Sequence, residues 1–453
     1  MSDWLNKRVV VLGLARQGMA LARYLAGQGA RVTVSDLRSR EALAEPLQAL
    51  AGLTIEYVLG EHPHALLDGC DLLCLSGGVD VNAQLPTEAR RRGIALGNDA
   101  EIFLARCPSP HTIGITGSAG KTTTTTLVGA MLRAQFGERA VWVGGNIGNP
   151  LIGELERIGP DDRVVLELSS FQLEVMTTGT AIAAVLNVTP NHLDRHGTLE
   201  AYAAAKRRLL DNQRGAGALA VLGLDDPGSR AFAEAARGKI AWFSGEVEVE
   251  QGAWLKGDAL VWQGHTIVTT GELKLRGAHN VLNVLAACAI SGAAGAEPPA
   301  MRAIATTFTG VAHRLQQVRE HRGVRWVNDS IATAPERAMA GVRAFDEPVI
   351  LLAGGRDKKL PWDTWAALVR ERVRHVVAFG EAGDLIIRAL RAAGVPAERF
   401  TQVDGLPAAV GRAAGLAREG DVVLLSPGGT GFDEFRDFEE RGVEFARWVM
   451  ALP

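Results

Sequence analysis

The chain has 453 residues, 47% of them hydrophobic and 22% charged, with a formal net charge of −3. That mix belongs to a soluble globular protein, of two to four domains at roughly 100–200 residues each. It gives no electrostatic basis for binding nucleic acid or an anionic membrane, and the scattered Cys70, Cys74, Cys107 and Cys288 form neither a metal-ligand spacing nor a disulfide framework, which suits a reducing cytoplasm.

The opening "MSDWLNKRVVVLGLARQG" carries a short apolar run and no signal-peptide pattern. Strand, glycine turn, helix, strand and acid follow in "VVVLGLARQGMALARYLAGQGARVTVSD". Gly13, Ala15 and Gly18 stand at the three positions of G-x-G-x-x-G, and Asp36 falls where a ribose-binding acid would lie. A nucleotide diphosphate would meet the helix start near Ala15–Gly18, whether the ligand is NAD, FAD or a sugar nucleotide. A tight turn without any ligand reads the same way.

Short apolar runs recur at 8–14, 72–78, 111–117, 163–168, 183–188, 348–355, 375–381 and 421–429. Continuous runs of this kind suit parallel strands buried on both faces, and helical patterns between them, as at 364–372 and 382–393, predict parallel α/β sheets. The Pro-containing "RCPSPH" and the stretch "GVAHRLQQV" mark boundaries near 107 and 312. Three domains are therefore expected, 1–107, 108–312 and 313–453. A small β excursion is expected over 240–275. The Ala-rich 281–296, broken by Asn283 and Ser291, reads as a buried helix and not a membrane span.

The second segment holds the densest chemistry. "GITGSAGKTTTTTL" (114–127) follows a strand and opens a helix whose Leu127, Met131 and Leu132 face inward. It approaches the phosphate-loop pattern G-x-x-x-x-G-K-[ST], but Gly114 comes one position early and Gly117 is added. Backbone N–H groups of 117–121 can form an anion nest, Lys121 can neutralise terminal phosphates, and the Thr122 hydroxyl can reach Mg²⁺. Only the first one or two hydroxyls of Thr122–Thr126 are expected to be ligands. Glu167 ends an apolar strand, where an acid needs a cation or a cap. "NVTPNHLDRHG" groups Asn191, His192, Asp194 and Arg195 after another strand; His192 is either a metal or substrate ligand or a structural histidine. On the predicted helix 198–210, Leu199, Tyr202, Lys206, Leu209 and Leu210 share one face by i, i+3, i+4, i+7 spacing. Lys206 is thus either buried with a lowered pKa or snorkelling from the edge.

With these blocks, and with "GGNIGNP" (144–150), "LELSSFQLE" (166–174), "HNVLN" (279–283), "HR" (313–314) and "NDSIAT" (328–333), the chain resembles the Mur ligase family, ATP-dependent amide-forming enzymes of peptidoglycan synthesis. Thr116-Gly117-Ser118-Ala119-Gly120-Lys121-Thr122-Thr123 fits that family's phosphate loop, which lacks the usual first glycine. The resemblance implies an α/β fold of three domains: Rossmann-like N-terminal, central P-loop ATPase-like with a mostly parallel sheet, and Rossmann-like C-terminal. It implies that Gly13, Leu14, Ala15, Arg16, Gly18, Asp36, Ser76, Asn146 and His192 hold the UDP substrate. ATP would lie against the loop with Asn280, Asn283, Arg314 and Asp329. Lys121, Glu167, His192 and Lys206 would be catalytic. Thr122, Glu167, His192 and a carbamylated Lys206 would serve Mg²⁺. Thr333, Lys358, Thr430, Gly431 and Phe438 would receive glutamate.

The ending "LLSPGGTGFDEFRDFEERGVEF" (424–445) is similar to the branch that adds D-glutamate to UDP-N-acetylmuramoyl-L-alanine through an acyl phosphate. A monomer is expected. Four departures stand out: Ala119 for Asn, Ile331 for Lys, Gly77 for Pro, and Gly431 where some members place a serine that holds the glutamate carboxylate. The last leaves L-glutamate as an alternative acceptor. Folylpolyglutamate synthases share the central loop but lack the sugar-nucleotide-like first segment. An ATP-hydrolysing switch needs neither Lys206 nor Lys358, and an oxidoreductase has no use for the GKT loop.

Overall fold

The computed structural model describes residues 4–453 apart from 149, 216, 276 and 359 and the side chain of 194. Asn149 of "GGNIGNP" and the Asp194 side chain therefore lie outside the described residues. Three sheets organise the chain, in two compact units that divide between Phe308 and Thr309.

The first sheet is wholly parallel. Its order is Ile55–Leu59, Arg31–Asp36, Arg8–Leu12, Leu72–Leu75, Ala95–Gly97. The chain turns after Arg8–Leu12 at Gly13 (φ +87°) into the helix Arg16–Gly27, which buries Gly18, Leu21, Ala22 and Leu25. A Cβ on Gly18 would collide with the Gly13 carbonyl, so that glycine lets the helix start press onto the turn.

The central sheet has nine strands in the order His265–Thr269, Ala259–Trp262, Gly252–Lys256, Lys239–Ser244, Leu219–Gly223, Ile182–Val185, Thr112–Thr116, Arg163–Glu167, Val141–Gly145. The three strands at 252–269 pair antiparallel at the edge and supply the expected β excursion; the remaining pairs are parallel. One face is covered by the helices Lys121–Phe136 and Ala278–Ala293, where Leu127, Met131, Leu132, Leu285 and Ile290 are buried. Each such side chain contributes about 1.5–3 kcal/mol of hydrophobic stabilisation. The other face shares one hydrophobic cluster with the first sheet, running from Val9 and Leu25 through Ile152 to Leu166 and Leu209. Polar ties reinforce that seam: Glu101 accepts from the Thr177 hydroxyl at 2.7 Å and from the N–H groups of Thr177 and Thr178. The first two sheets thus form one compact unit. No described helix is long and apolar enough to cross a membrane.

The second unit carries six strands: Gln316–His321, Val324–Asn328, Val422–Gly428, Val349–Gly354, Val373–Phe379, Phe400–Gln402. Only the first pair is antiparallel. Helices cover both faces, with Trp365 and Ile386 buried on one and Val410 and Phe445 on the other.

Candidate active site

The early glycine of "GITG" is not part of the phosphate cradle. Gly114 lies within the buried strand Thr112–Thr116, and a Cβ there would stand 2.8 Å from both Leu209 Cδ1 and Thr180 Oγ1. Its absence lets the helix Leu199–Asp211 pack closely over the strand, and that helix carries Lys206.

The cradle proper runs from Gly117 to Gly120. Gly120 caps the helix Lys121–Phe136 with φ +81°, and a Cβ on it would strike the Asn283 side-chain oxygen; both facts require glycine. The loop is fixed from behind. Ser118 donates its N–H to Asn187 O at 3.0 Å and its hydroxyl to Thr189 O at 2.8 Å, and that hydroxyl accepts from the Thr189 N–H and from Tyr202. Ala119 exchanges two hydrogen bonds with the Asn187 side chain, its N–H donating at 2.8 Å and its carbonyl accepting at 3.2 Å. Thr124 and Thr125 are fully buried and Thr126 donates back to the Thr122 carbonyl, whereas Thr122 and Thr123 are part-exposed. The packing reading of the later threonines fits this arrangement.

Two lysines converge on one carbonyl. Lys121 Nζ donates to Gly117 O at 2.8 Å and Ser118 O at 3.3 Å; Lys206 Nζ donates to Gly117 O at 2.9 Å and Thr116 Oγ1 at 3.4 Å. Lys206 is 1% exposed and sits 4.5 Å from the Tyr202 ring centroid. Burial, followed by the positive charge of Lys121, pushes the Lys206 amine down to about 6, against the opposing pull of Glu167. The side chain is buried, not snorkelling.

Glu167 is 2% exposed at the end of its strand. Its Oε1 accepts from Asn146 Nδ2 at 2.9 Å, and the Asn146 N–H donates to its carbonyl at 2.8 Å. Its Oε2 is buried with no hydrogen-bond partner. A buried carboxylate oxygen left in that condition is costly and calls for a cation. Among the described residues no three His, Cys, Asp or Glu side chains gather as a metal site. Mg²⁺ does not require one, because it is commonly held by one or two carboxylates together with phosphate oxygens and water. Glu167 and the Thr122 hydroxyl fit that donor set.

His192 is exposed, in the left-handed region (φ +53°), with its ring edge-on to Phe171 at 5.0 Å. Sequence reasoning gave no role to its neighbour His196. That ring stacks on Phe171, with Nδ1 3.0 Å from Glu174 and Nε2 3.0 Å from Ser170 Oγ. Arg195 reaches the first sheet's loop, bonding the carbonyls of Gly78 and Val79 and lying 3.6 Å from Asp80. From the other side Arg16 donates to Gly148 O at 2.7 Å.

A cleft of about 400 Å³ adjoins the loop, lined by Ala119, Gly120, Asn187, Phe243, His279 and Asn283. Its size and mixed lining suit a nucleoside. Asn280 and Asn283 stand on the helix that forms its wall, 3.1 Å apart. Two larger hollows, about 740 and 770 Å³, open beside Trp142 and Ile94; neither is lined by the phosphate loop.

In the first sheet Asp36 is committed. It accepts from the Leu14 N–H at 2.8 Å and from Arg38 through the backbone and two guanidinium nitrogens. Burial would raise its pKa, but the bonds from Arg38 and Leu14 outweigh that and hold it at about 2. Its carboxylate braces the glycine turn from below. Ser76 is buried against Gly13, its Cβ 3.1 Å from where a side chain on Gly13 would begin.

The second unit gathers the residues expected around glutamate. Lys358 Nζ donates to Thr333 Oγ1 at 3.1 Å. Its pKa is lowered by burial and then by the charges of Arg337 and Arg441. Thr430 forms a two-way backbone bridge with Arg356, and its hydroxyl donates to Arg356 O at 3.3 Å. That proton is therefore not free to replace a serine donor. At Gly431 a Cβ would lie 2.6 Å from Asp437 O, so the segment before the helix Phe438–Met450 folds over the position a serine would need. Phe438 packs edge-on to His313 at 6.2 Å. Asp329 is buried and accepts from Ser426 at 2.8 Å; burial raises its pKa to about 7 despite that bond and the nearby Arg314 and Arg337. Arg314 is exposed between His313 and Leu315, both with positive φ.

Comparison with known proteins matches this architecture in three consecutive blocks. Residues 7–97 match the MurD-like N-terminal domain of Mur ligases, 115–291 the Mur ligase middle domain, and 313–429 the Mur ligase glutamate ligase domain. The chain belongs to the Mur ligase family. Within it, the chain is 43% identical to the UDP-N-acetylmuramoylalanine–D-glutamate ligase of Symbiobacterium thermophilum, over 99% of both chains. It is 40% identical to that of Pelotomaculum thermopropionicum, over 100% of this chain and 99% of the relative. In fold it is similar to the crystal structure of the UDP-N-acetylmuramate-alanine ligase MurC from Thermotoga maritima (TM-score 0.56, 20% identity, 98% and 99% of the two chains). It is likewise similar to MurF from Acinetobacter baumannii (TM-score 0.55, 17% identity, 97% and 94%).

Proposed function

We propose that this protein joins D-glutamate to UDP-N-acetylmuramoyl-L-alanine with consumption of ATP, as a cytoplasmic monomer in peptidoglycan precursor synthesis. Three domains, 1–107, 108–312 and 313–453, take the UDP substrate, ATP and glutamate respectively. The observation that carries the reading is the pair of lysines on the Gly117 carbonyl, one of them buried with its amine pushed down to about 6, beside a buried carboxylate with an unpaired oxygen.

ATP binds with its phosphates at the start of the helix Lys121–Phe136, on loop N–H groups other than those of Ser118 and Ala119, which Asn187 already holds, and its base in the cleft beside Asn283. Lys121 leaves its loop carbonyls for the terminal phosphate, where charge builds as the L-alanine carboxylate attacks. The new bond joins a carboxylate oxygen to phosphorus and ADP departs. The neutral glutamate amine then attacks the acyl carbonyl, the amide bond forms and phosphate leaves. Glu167 and Thr122 are the residues that would hold Mg²⁺, with His192 and Lys206 nearby, and when bound the ion supplies charge neutralisation at the phosphates. Lys206 is primed for carbamylation: a neutral amine adds to CO₂, forming a C–N bond and releasing a proton, and the buried site keeps the amine neutral near pH 7. Asn146, held against Glu167, and Arg16 and Ser76 of the first sheet serve the UDP-muramoyl substrate.

The test is isotopic. With heavy oxygen in the L-alanine carboxylate, released phosphate should carry one labelled oxygen, and its formation should require both UDP-N-acetylmuramoyl-L-alanine and D-glutamate. Unlabelled phosphate would overturn the acyl-phosphate route.

A further inference from the structure

Glutamate carries two carboxylates, and the second unit shows a ready side-chain donor for one: the Lys358–Thr333 pair. At the other end the serine hydroxyl of some relatives is replaced by Gly431, and the Thr430 proton is committed to Arg356. This end therefore offers neither of those side-chain hydroxyls to the second carboxylate.

Arg441 stands directly behind this gap. It lies in the first turn of the 13-residue helix Phe438–Met450 and is 0% exposed. Its Nε donates to Ser330 Oγ and its second terminal nitrogen to Ser330 O, each at 2.9 Å. Ser330 in turn donates to the carbonyl of Phe438 at 2.8 Å. The remaining terminal nitrogen is buried and has no hydrogen-bond partner. It faces Gly355, where a Cβ would meet it at 2.8 Å and would also strike the carbonyl of Thr430. Asp433 and Glu434 are near enough to favour the charged guanidinium, yet no ion pair forms between either and Arg441. Their carboxylates accept from the N–H groups of Glu381 and Leu406.

An unpaired guanidinium nitrogen is expensive to bury, and a cation without a carboxylate partner is more so. Here it sits one turn inside a helix whose N-terminal residue, Phe438, has its backbone nitrogen 3.5 Å from where a Cβ on Gly431 would be. That helix end is already capped by Asp437, which accepts from the Glu440 N–H at 2.8 Å, and bears Glu439 and Glu440 in its first turn, so the positive charge available to a further anion here is that of Arg441.

We infer that Arg441 is a positioning residue of the glutamate site: its buried charge, held by Ser330 beneath Thr430, Gly431 and the Phe438 helix end, compensates the glutamate carboxylate that Lys358 does not hold. It acts through this backbone segment, without touching substrate. The inference rests on the glutamate-ligase reading and deepens it.

The experiment compares wild type, Arg441→Met and Arg441→Lys in the complete ligation assay, with KM resolved for each substrate and folding followed by thermal unfolding. Arg441→Met should raise the KM for D-glutamate about tenfold or more, the size expected for one charge at a partly buried site. The KM values for ATP and for the UDP substrate should stay within about twofold. Arg441→Lys keeps the charge and should recover most of the glutamate KM; if the Met variant does not fold, Arg441→Gln takes its place and must show the rise in KM confined to glutamate. Glutamate analogues amidated at one carboxylate or the other complete the test as competitive inhibitors. The penalty of Arg441→Met should shrink for one amide and persist for the other. Equal losses for every substrate and both amides would mean a merely structural arginine and overturn the proposal. A wild type that does not ligate glutamate at all would instead overturn the functional reading on which it stands.

Discussion

The proposed phosphate loop and the proposed glutamate pocket are built to hold anions by different means. At the loop the donors are backbone N–H groups, and the side chains around it work from behind: Asn187 on Ala119, Thr189 and Tyr202 on Ser118, Asn283 against Gly120. Backbone geometry tolerates little change, so the loop keeps a spelling that can be read. In the proposed glutamate pocket the charge would come from side chains, Lys358 directly and Arg441 from behind, brought from separate parts of the second unit. Side-chain sites can move a donor from one residue to another, and Gly431 is such a change. Ala119 shows the contrast: it too departs from the family's residue, yet its backbone groups keep both bonds to Asn187.

That difference can be broken most severely at Lys121. Lys121→Ala should lower ATP-dependent ligation by roughly 10³-fold or more, the scale of removing a charged group that stabilises phosphoryl transfer. Binding of the UDP substrate, followed calorimetrically, should persist. Full activity would remove the loop from the mechanism. Next in size, Lys206→Ala should lose most activity and regain part of it with added formate or acetate, which can stand in for a carbamate.

Lys206 also makes a prediction on stability. Its folded pKa of about 6 lies below the unfolded value, so the unfolded chain binds more protons between about pH 6 and pH 10.5. Burying this amine therefore costs most below pH 6, and the cost fades as pH rises toward the unfolded pKa. Lys206→Met should raise the thermal midpoint in bicarbonate-free buffer, more at pH 6 than at pH 9.5. A gain independent of pH would contradict the neutral buried amine.

On the glutamate side, Lys358→Ala should raise the KM for glutamate by about 10–100-fold, the loss of one charge-assisted contact, and leave that for ATP unchanged. The smallest effect belongs to Tyr202→Phe. Removing its hydroxyl bond to Ser118 should cost about 1 kcal/mol, read as a several-fold rise in the KM for ATP.

Many strands of the parallel sheets were legible because both faces are buried and each run is apolar, although Ile55–Leu59, Val141–Gly145 and Leu219–Gly223 were not singled out. "RVVLE" and "VILLAG" became Arg163–Glu167 and Val349–Gly354. Gln316–His321 was not legible: "QQVREH" is an antiparallel edge strand with no buried face to mark it. Lys206 could be placed on an apolar face by its spacing, because helix periodicity is local. Arg441 could not, since "FEERGVEF" looks like a solvated charge run; it is buried by Ser330, 111 positions away in the chain. Asp36 was readable as an acid at the right position, but its commitment to Leu14 and Arg38 depends on how the turn folds back. The close packing that explains Gly114 likewise involves Thr180 and Leu209, far along the chain.

The central claim, that this loop activates a carboxylate for a D-glutamate amine, is tested most directly by phosphate release from the purified protein with ATP and UDP-N-acetylmuramoyl-L-alanine. D-glutamate, L-glutamate, L-alanine and meso-diaminopimelate are supplied in turn. Release should depend on D-glutamate and stay near background with the other three. Equal or faster release with L-glutamate, or release with no amino acid present, would contradict it.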